Sequence, residues 1–105
     1  LKEKMFVRTA HWHCKPEFFD EAPRLFKTGA LPILSRQSGL LWAQLVGHSN
    51  DTLRIAITVW RDEASYRKYI DSEDNNVITR IFEHMYVDGH SPLGFDLPVL
   101  HEHFF

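Results

Sequence analysis

The chain has little cysteine. Cys14 is the single thiol in 105 residues, so no internal disulfide can form and a reducing, cytoplasmic setting is the expectation. With no activating neighbour beyond Lys15, Cys14 reads as a packed thiol and not a nucleophile. Long apolar runs are also missing: nothing approaches the roughly 18 residues a membrane-spanning helix needs. No Lys/Arg block stands out and the formal charge is −2, which argues against a nucleic-acid binder working by phosphate neutralisation. A phosphate-binding glycine loop, a dinucleotide fingerprint and a nucleophile elbow are all absent. The opening Leu1-Lys-Glu-Lys-Met-Phe6 is too short and too charged to read as a secretory signal. There are no repeats and no low-complexity segments.

What remains is an ordinary globular composition, 44% hydrophobic and 25% charged, at a length that suits one domain spanning 1–105. Eight Phe, three Tyr and three Trp accompany seven His. Such a set suits either a cavity for a flat ligand or the filling of a core.

The clearest organisation lies between Gly39 and Ser72. Residues 39–48 read as a strand, Ser49-Asn50-Asp51-Thr52 as a turn, and Leu53–Trp60 as the next strand. Acidic residues in the first turn of Asp62–Ile70 suit a helix N-terminus. Upstream, Met5–Cys14 is a strand with Phe6, Arg8, Ala10 and Trp12 on one face and Val7, Thr9, His11 and His13 on the other; periodicity leaves open which face meets the helices. Lys15-Pro16-Glu17 opens a helical stretch whose apolar stripe from Phe18 to Leu34 is interrupted by Pro23, Gly29 and Pro32, which predicts a kinked helix or a short turn before a longer one, ending near Ser38-Gly39. Ser72-Glu73-Asp74 caps a second helix after the hairpin, with Val77, Ile78, Ile81, Phe82 and Met85 inward and Asp88-Gly89 at its end. Residues 88–105 read as a loop and a terminal strand, Val99–Phe105, that reaches toward a partner subunit.

In the third strand, Leu53, Ile55, Ile57 and Val59 form an apolar face expected to pack on the helices. The other face, Arg54, Ala56, Thr58 and Trp60, is expected to join Trp42, Gln44, Val46 and His48 of the preceding strand. Such a mixed aromatic and polar surface suits a cavity lining or a subunit interface. A sheet with helices on one face leaves the other bare, and a second copy across Trp42 and Trp60 is the simplest cover.

Strand, helix, hairpin, broken helix, strand is the order of an α+β, ferredoxin-like β-α-β-β-α-β half-barrel with an antiparallel sheet. Lys15-Pro16, Ser38-Gly39-Leu40 and Thr58-Val59-Trp60-Arg61-Asp62-Glu63-Ala64 sharpen it. Over residues 5 to 87 the chain resembles the antibiotic biosynthesis monooxygenase-like family of dimeric α+β barrels. The resemblance implies a homodimer with a pocket in each subunit between sheet and helices. It also implies one of several activities: cofactor-independent oxygenation of anthrones or quinols, haem degradation, or an activity not yet defined.

The haem-degrading pattern transfers poorly. Thr9 stands at the place of its Asn, Tyr69 at that of its Trp and Thr79 at that of its His, leaving His84 as a displaced axial ligand. Cofactor-free oxygenation asks less: a base near neutral pKa, a donor for a developing oxyanion, and a dry aromatic slot. His11 or His13 is the expected base and Gln44, Arg54 or Thr58 the donor. Trp42 and Trp60 form the slot, with Tyr69 closing it from the helix side. Competing with this are a non-catalytic ligand-binding or structural dimer, in which the same residues fill the barrel, and an isomerase or decyclase using a histidine as proton shuttle. His11-x-His13 and His101-x-His103 each place two imidazoles on one strand face, but no zinc-like Cys or carboxylate spacing accompanies them. Neither metal nor cofactor is expected.

Overall fold

The structure, a computed structural model, describes residues 4–105. Strand β1 (Phe6–His13) leads through a 3-10 turn (Pro16–Phe18) into α1 (Glu21–Leu25), a π turn (Phe26–Ala30) and α2 (Leu31–Leu34). The hairpin β2 (Leu40–Gly47) and β3 (Leu53–Trp60) follows, then α3 (Glu63–Ile70), α4 (Glu73–Phe82), a second 3-10 turn (Glu83–Met85) and β4 (Leu93–Pro98). The four strands form one antiparallel sheet in the order β2-β3-β1-β4. This is the α+β, ferredoxin-like architecture expected from the element order.

Local chemistry accounts for the element boundaries. Asp62 caps α3 by accepting from the Ser65 N–H at 2.8 Å, and Ser72 caps α4 through the Asn75 N–H at 3.4 Å. Gly39 turns the chain into β2 at φ 84°. A Cβ there would also lie 2.3 Å from Ser65 Oγ, so only glycine lets β2 start this close to α3. The interrupted stripe becomes a helix widened by the π turn, in which the Leu31 N–H reaches back to Phe26 O. Pro32, one residue later, has no N–H and would crowd the carbonyl a turn earlier, and the wider turn precedes it.

Register settles the faces, and it reverses the expectation for β3. Arg54, Ala56, Thr58 and Trp60 turn toward the helices. Trp60 is fully buried, stacked on Tyr69 at 5.1 Å and edge-on to Tyr66 at 5.9 Å. Leu53, Ile55, Ile57 and Val59 lie on the opposite face and are only half-buried. Trp42 pairs with Val59, so Trp42 and Trp60 are on opposite faces of the sheet and do not share a surface. The alternation is real, but both faces of this sheet are rich in apolar side chains, and a period of two carries no mark of which side the helices cover.

The last strand also differs from expectation. It is Leu93–Pro98, paired with β1 in a register that sets Asp96 opposite Arg8 and Phe95 opposite Thr9, whereas residues 99–105 carry no strand. Leu93, Phe95 and Leu97 alternate with Gly94, Asp96 and Pro98, a pattern that fits an edge strand where proline is tolerated.

Candidate functional site

A cavity of about 320 Å³ lies between the sheet and the helical layer. Its floor follows from two rows of directly opposed residues running across the sheet. One row is Gly94, Ala10, Ala56 and Leu45, from β4, β1, β3 and β2. At its centre two alanines face each other, and their missing side-chain volume is the space of the cavity. The neighbouring row is Asp96, Arg8, Thr58 and Ala43, which sets polar groups along one side of that space. Trp12 bounds the opposite side, packed on Phe82 at 5.8 Å and Tyr86 at 5.4 Å. Phe26, Ala30 and Leu34 from the π turn and α2, and Ile78 and Phe82 from α4, form the apolar roof.

Among the described residues Arg8 is the only charged one of the wall. Its Nη1 donates to Tyr66 Oη and, at 3.0 Å, to Asp96 Oδ1, and among the described residues Nη2 and Nε have no acceptor. Thr58 Oγ1 accepts from Trp60 Nε1 at 2.9 Å, so its own hydrogen is available to a ligand. Tyr69 is buried, and that burial pushes its phenol up to about 12, Arg8 moderating the rise. Burial raises Tyr86 as well, and both phenols remain donors at neutral pH. Asn75 and Thr79 also line the space; Asn75 Nδ2 donates to the Ile70 carbonyl and the Thr79 hydroxyl to the Asn75 carbonyl. Among the described residues of the wall there is no His, Asp, Glu or Cys.

The expected site residues scatter accordingly. Thr58 and Tyr69 line the cavity, and Trp60 stands directly behind both. His11 and His13 do not line it. By register they share the outer face with Val7 and Thr9, where His11 packs edge-on to Phe95 at 5.2 Å and His13 binds Thr52 Oγ1 at 2.9 Å. Trp42 and Gln44 are exposed on that same outer face. Arg54 is on the helix side but outside the cavity, with its guanidinium 4.4 Å from the Phe19 ring centre and Nη1 donating to the Asp51 and Leu53 carbonyls. His84 is exposed and meets Phe18 edge-on at 5.1 Å.

Among the described residues no imidazole lines the wall, and His84 is not placed there as an axial ligand to a haem. Among the described residues no group of three or more His, Cys, Asp or Glu is placed to hold a metal ion. His101 and His103 lie beyond β4, not on a strand beside β1. Arg8, Ala10, Trp12 and Tyr86 were not anticipated as site residues. The signal available for them was the strand face Phe6, Arg8, Ala10, Trp12, in which a lone cation and a small residue sit between large aromatics.

Solved structures of the same fold are numerous. A candidate antibiotic biosynthesis monooxygenase from Caulobacter crescentus is 12% identical with a TM-score of 0.77, over 95% of this chain and 93% of that one. The monooxygenase from the ActVA-Orf6 gene of Streptomyces coelicolor, solved in complex with nanaomycin D, is 15% identical with a TM-score of 0.75, over 96% of this chain and 92% of that one. A conserved protein from Methanosarcina mazei Go1 is 17% identical with a TM-score of 0.71, over 90% and 93%. No curated protein matches the chain. The family model for antibiotic biosynthesis monooxygenase matches residues 5–76, a span that includes β1, the hairpin and α3, and with them Arg8, the facing alanines, Thr58 and Tyr69. The chain belongs to the antibiotic biosynthesis monooxygenase family.

Proposed function

We propose that the cavity takes a small hydroxylated aromatic compound of the quinol or anthrone type, and that the protein is a cofactor-independent monooxygenase acting on it. The observation that carries this reading is the make-up of the wall. It is apolar and aromatic, and four of its polar side chains, Arg8, Thr58, Tyr69 and Tyr86, can each donate a hydrogen bond into it. Such a wall favours an oxyanion over the neutral phenol from which it forms. Its volume is at the low end for small-molecule sites, which suits a compact ring system. The solved ActVA-Orf6 monooxygenase, whose complex holds nanaomycin D, has the same fold.

The chemistry then belongs mostly to the substrate. Loss of a proton gives an electron-rich anion whose charge is spread over the rings and whose oxygen is met by hydrogen bonds from Arg8, Thr58 and Tyr69, not by a net positive charge, and the anion reduces oxygen. For an anthrone the balance is a ring methylene and O₂ giving a ring ketone and water: one oxygen atom enters the product, and the methylene carbon supplies all four electrons. The protein contributes orientation, stabilisation of the oxyanion and a water-poor slot. Because the described residues of the wall include no His, Asp or Glu, the proton leaves to solvent. The rate should therefore follow the ionisation of the substrate and not that of a histidine.

The working unit in this reading is a homodimer in a reducing, cytoplasmic setting, joined across the outer face of the sheet. The absence of a base from the wall also favours a second reading, a dimer that binds the aromatic without turning it over. Oxygen uptake with a hydroxyanthrone separates the two. Uptake above the spontaneous rate supports the oxygenase, and binding without uptake supports the binding module.

A further inference from the structure

Arg8 brings a positive charge to the cavity, yet the structure cancels that charge before any ligand arrives. Asp96 lies directly across the β1–β4 ladder from Arg8, and its Oδ1 accepts from Nη1 at 3.0 Å. Side chains of the pair are only about a quarter exposed, 27% and 28%, so solvent screens them incompletely. Tyr66, fully buried, receives the second bond from the same Nη1. Asp96 Oδ2 is 3.8 Å from Arg67 Nη1, and Arg67 in turn pairs with Glu63 at 3.2 Å. Two cations and two carboxylates therefore balance. Gly94 completes the arrangement, because a Cβ there would lie 2.9 Å from Arg8 Nη2. The guanidinium rests across bare backbone.

We propose that Asp96 is a positioning and specificity-determining residue: by holding and neutralising Arg8 it makes the cavity select uncharged hydroxyaromatics and quinones over carboxylates of the same ring size. The inference rests on reading the cavity as an aromatic site and adds the charge class of its ligand. An Arg without a counter-ion recognises carboxylates and phosphates through paired N–H groups. Here Nη1 is already engaged, and only Nη2 and Nε remain to donate to a hydroxyl or carbonyl oxygen. A ligand carboxylate would add a second negative charge beside Asp96 and would find no uncompensated cation.

The test compares 2-naphthol with 2-naphthoate, one ring system with and without the full charge, by fluorescence titration at neutral pH. Wild type should bind 2-naphthol more tightly. Asp96→Asn keeps the size of the side chain and removes its charge, and it should shift the preference toward 2-naphthoate by about fivefold or more, the scale of a partly exposed ion pair. Tyr66→Phe removes the other partner of Arg8 without altering charge. It should weaken 2-naphthol binding and leave the preference between the probes unshifted, which separates orientation from charge. An unchanged preference in Asp96→Asn overturns the proposal, as does wild type binding both probes equally. Failure of wild type to bind either probe overturns the aromatic reading of the cavity itself, and the role of Asp96 with it. Should Asp96→Asn not fold, Asp96→Ser gives the same comparison with a smaller side chain.

Discussion

At the scale of single residues, what matters at Ala10 and Ala56 is what they lack. They face each other across the β1–β3 ladder under the helical layer, and any larger side chain at either place would occupy the ring site. Ala56→Leu is therefore a means of closing the site while adding apolar contact to a cavity that has room for it, with little loss of stability. Tyr69 makes a different contribution, one that pH reveals. Its phenol ordinarily ionises near 10 and is held to about 12 in the fold. Below pH 10 it is neutral both folded and unfolded. Between about 10 and about 12 only the unfolded chain gives up the proton, so the unfolded state binds fewer protons and stability falls as pH rises through that window. Two units correspond to roughly 2–3 kcal/mol. Denaturant melts of Tyr69→Phe from pH 9 to 12 should show a shallower alkaline decline than wild type. The part that remains belongs to groups such as Tyr66 and Tyr86, which burial also raises.

At the scale of elements, the junction between β2 and α3 was readable in advance. Ser38-Gly39-Leu40 opened the strand, and Asp62-Glu63 opened the helix. The reason is that turns and caps are decided by a few neighbouring residues whose chemistry is local. Gly39→Ala should be costly, since alanine must take φ 84° and place its Cβ 2.3 Å from Ser65 Oγ. A loss of about 1–3 kcal/mol in chemical denaturation is expected. The face assignment of β3 was not legible. Its aliphatic face, Leu53 to Val59, has the stronger apolar signal, yet the helices cover the face of Arg54, Ala56, Thr58 and Trp60. The contacts of Trp60 with Tyr66 and Tyr69 of α3 mark the covered face, and the alternation of the strand carries no sign of them. With the face inverted, the first-strand histidines lie outside and Arg8 lies inside, so the cavity wall combines the expected Thr58 and Tyr69 with Arg8, Ala10 and Trp12. The terminal strand was displaced for a similar reason. Val99–Phe105 looks apolar, but the cross-strand partner of Arg8 is Asp96, and that pairing cannot be seen in the tail alone.

At the scale of the whole molecule, the outer face of the sheet has no cover among the described residues. Trp42, Val46, Leu93, Phe95 and Leu97 are exposed there, beside the half-buried aliphatic row of β3, and an apolar patch of this kind marks an interaction surface. Each large side chain covered by a second copy would contribute roughly 1.5–3 kcal/mol. Light scattering at micromolar concentration should therefore give twice the chain mass, and Phe95→Glu, which sets a charge in the middle of that face, should give the monomer. A monomeric wild type would remove the homodimer. The cavity lies on the opposite side of the sheet, so the function proposed for it is tested separately. The most direct test is oxygen uptake with 1,8-dihydroxyanthrone, comparing wild type, Ala56→Leu and the double variant His11→Gln/His13→Gln. The expected result is uptake of one O₂ per anthrone, faster than the spontaneous reaction, lost in Ala56→Leu and kept in the histidine variant. Uptake that survives Ala56→Leu, or that disappears with the histidines, would contradict the placement of the reaction in this cavity.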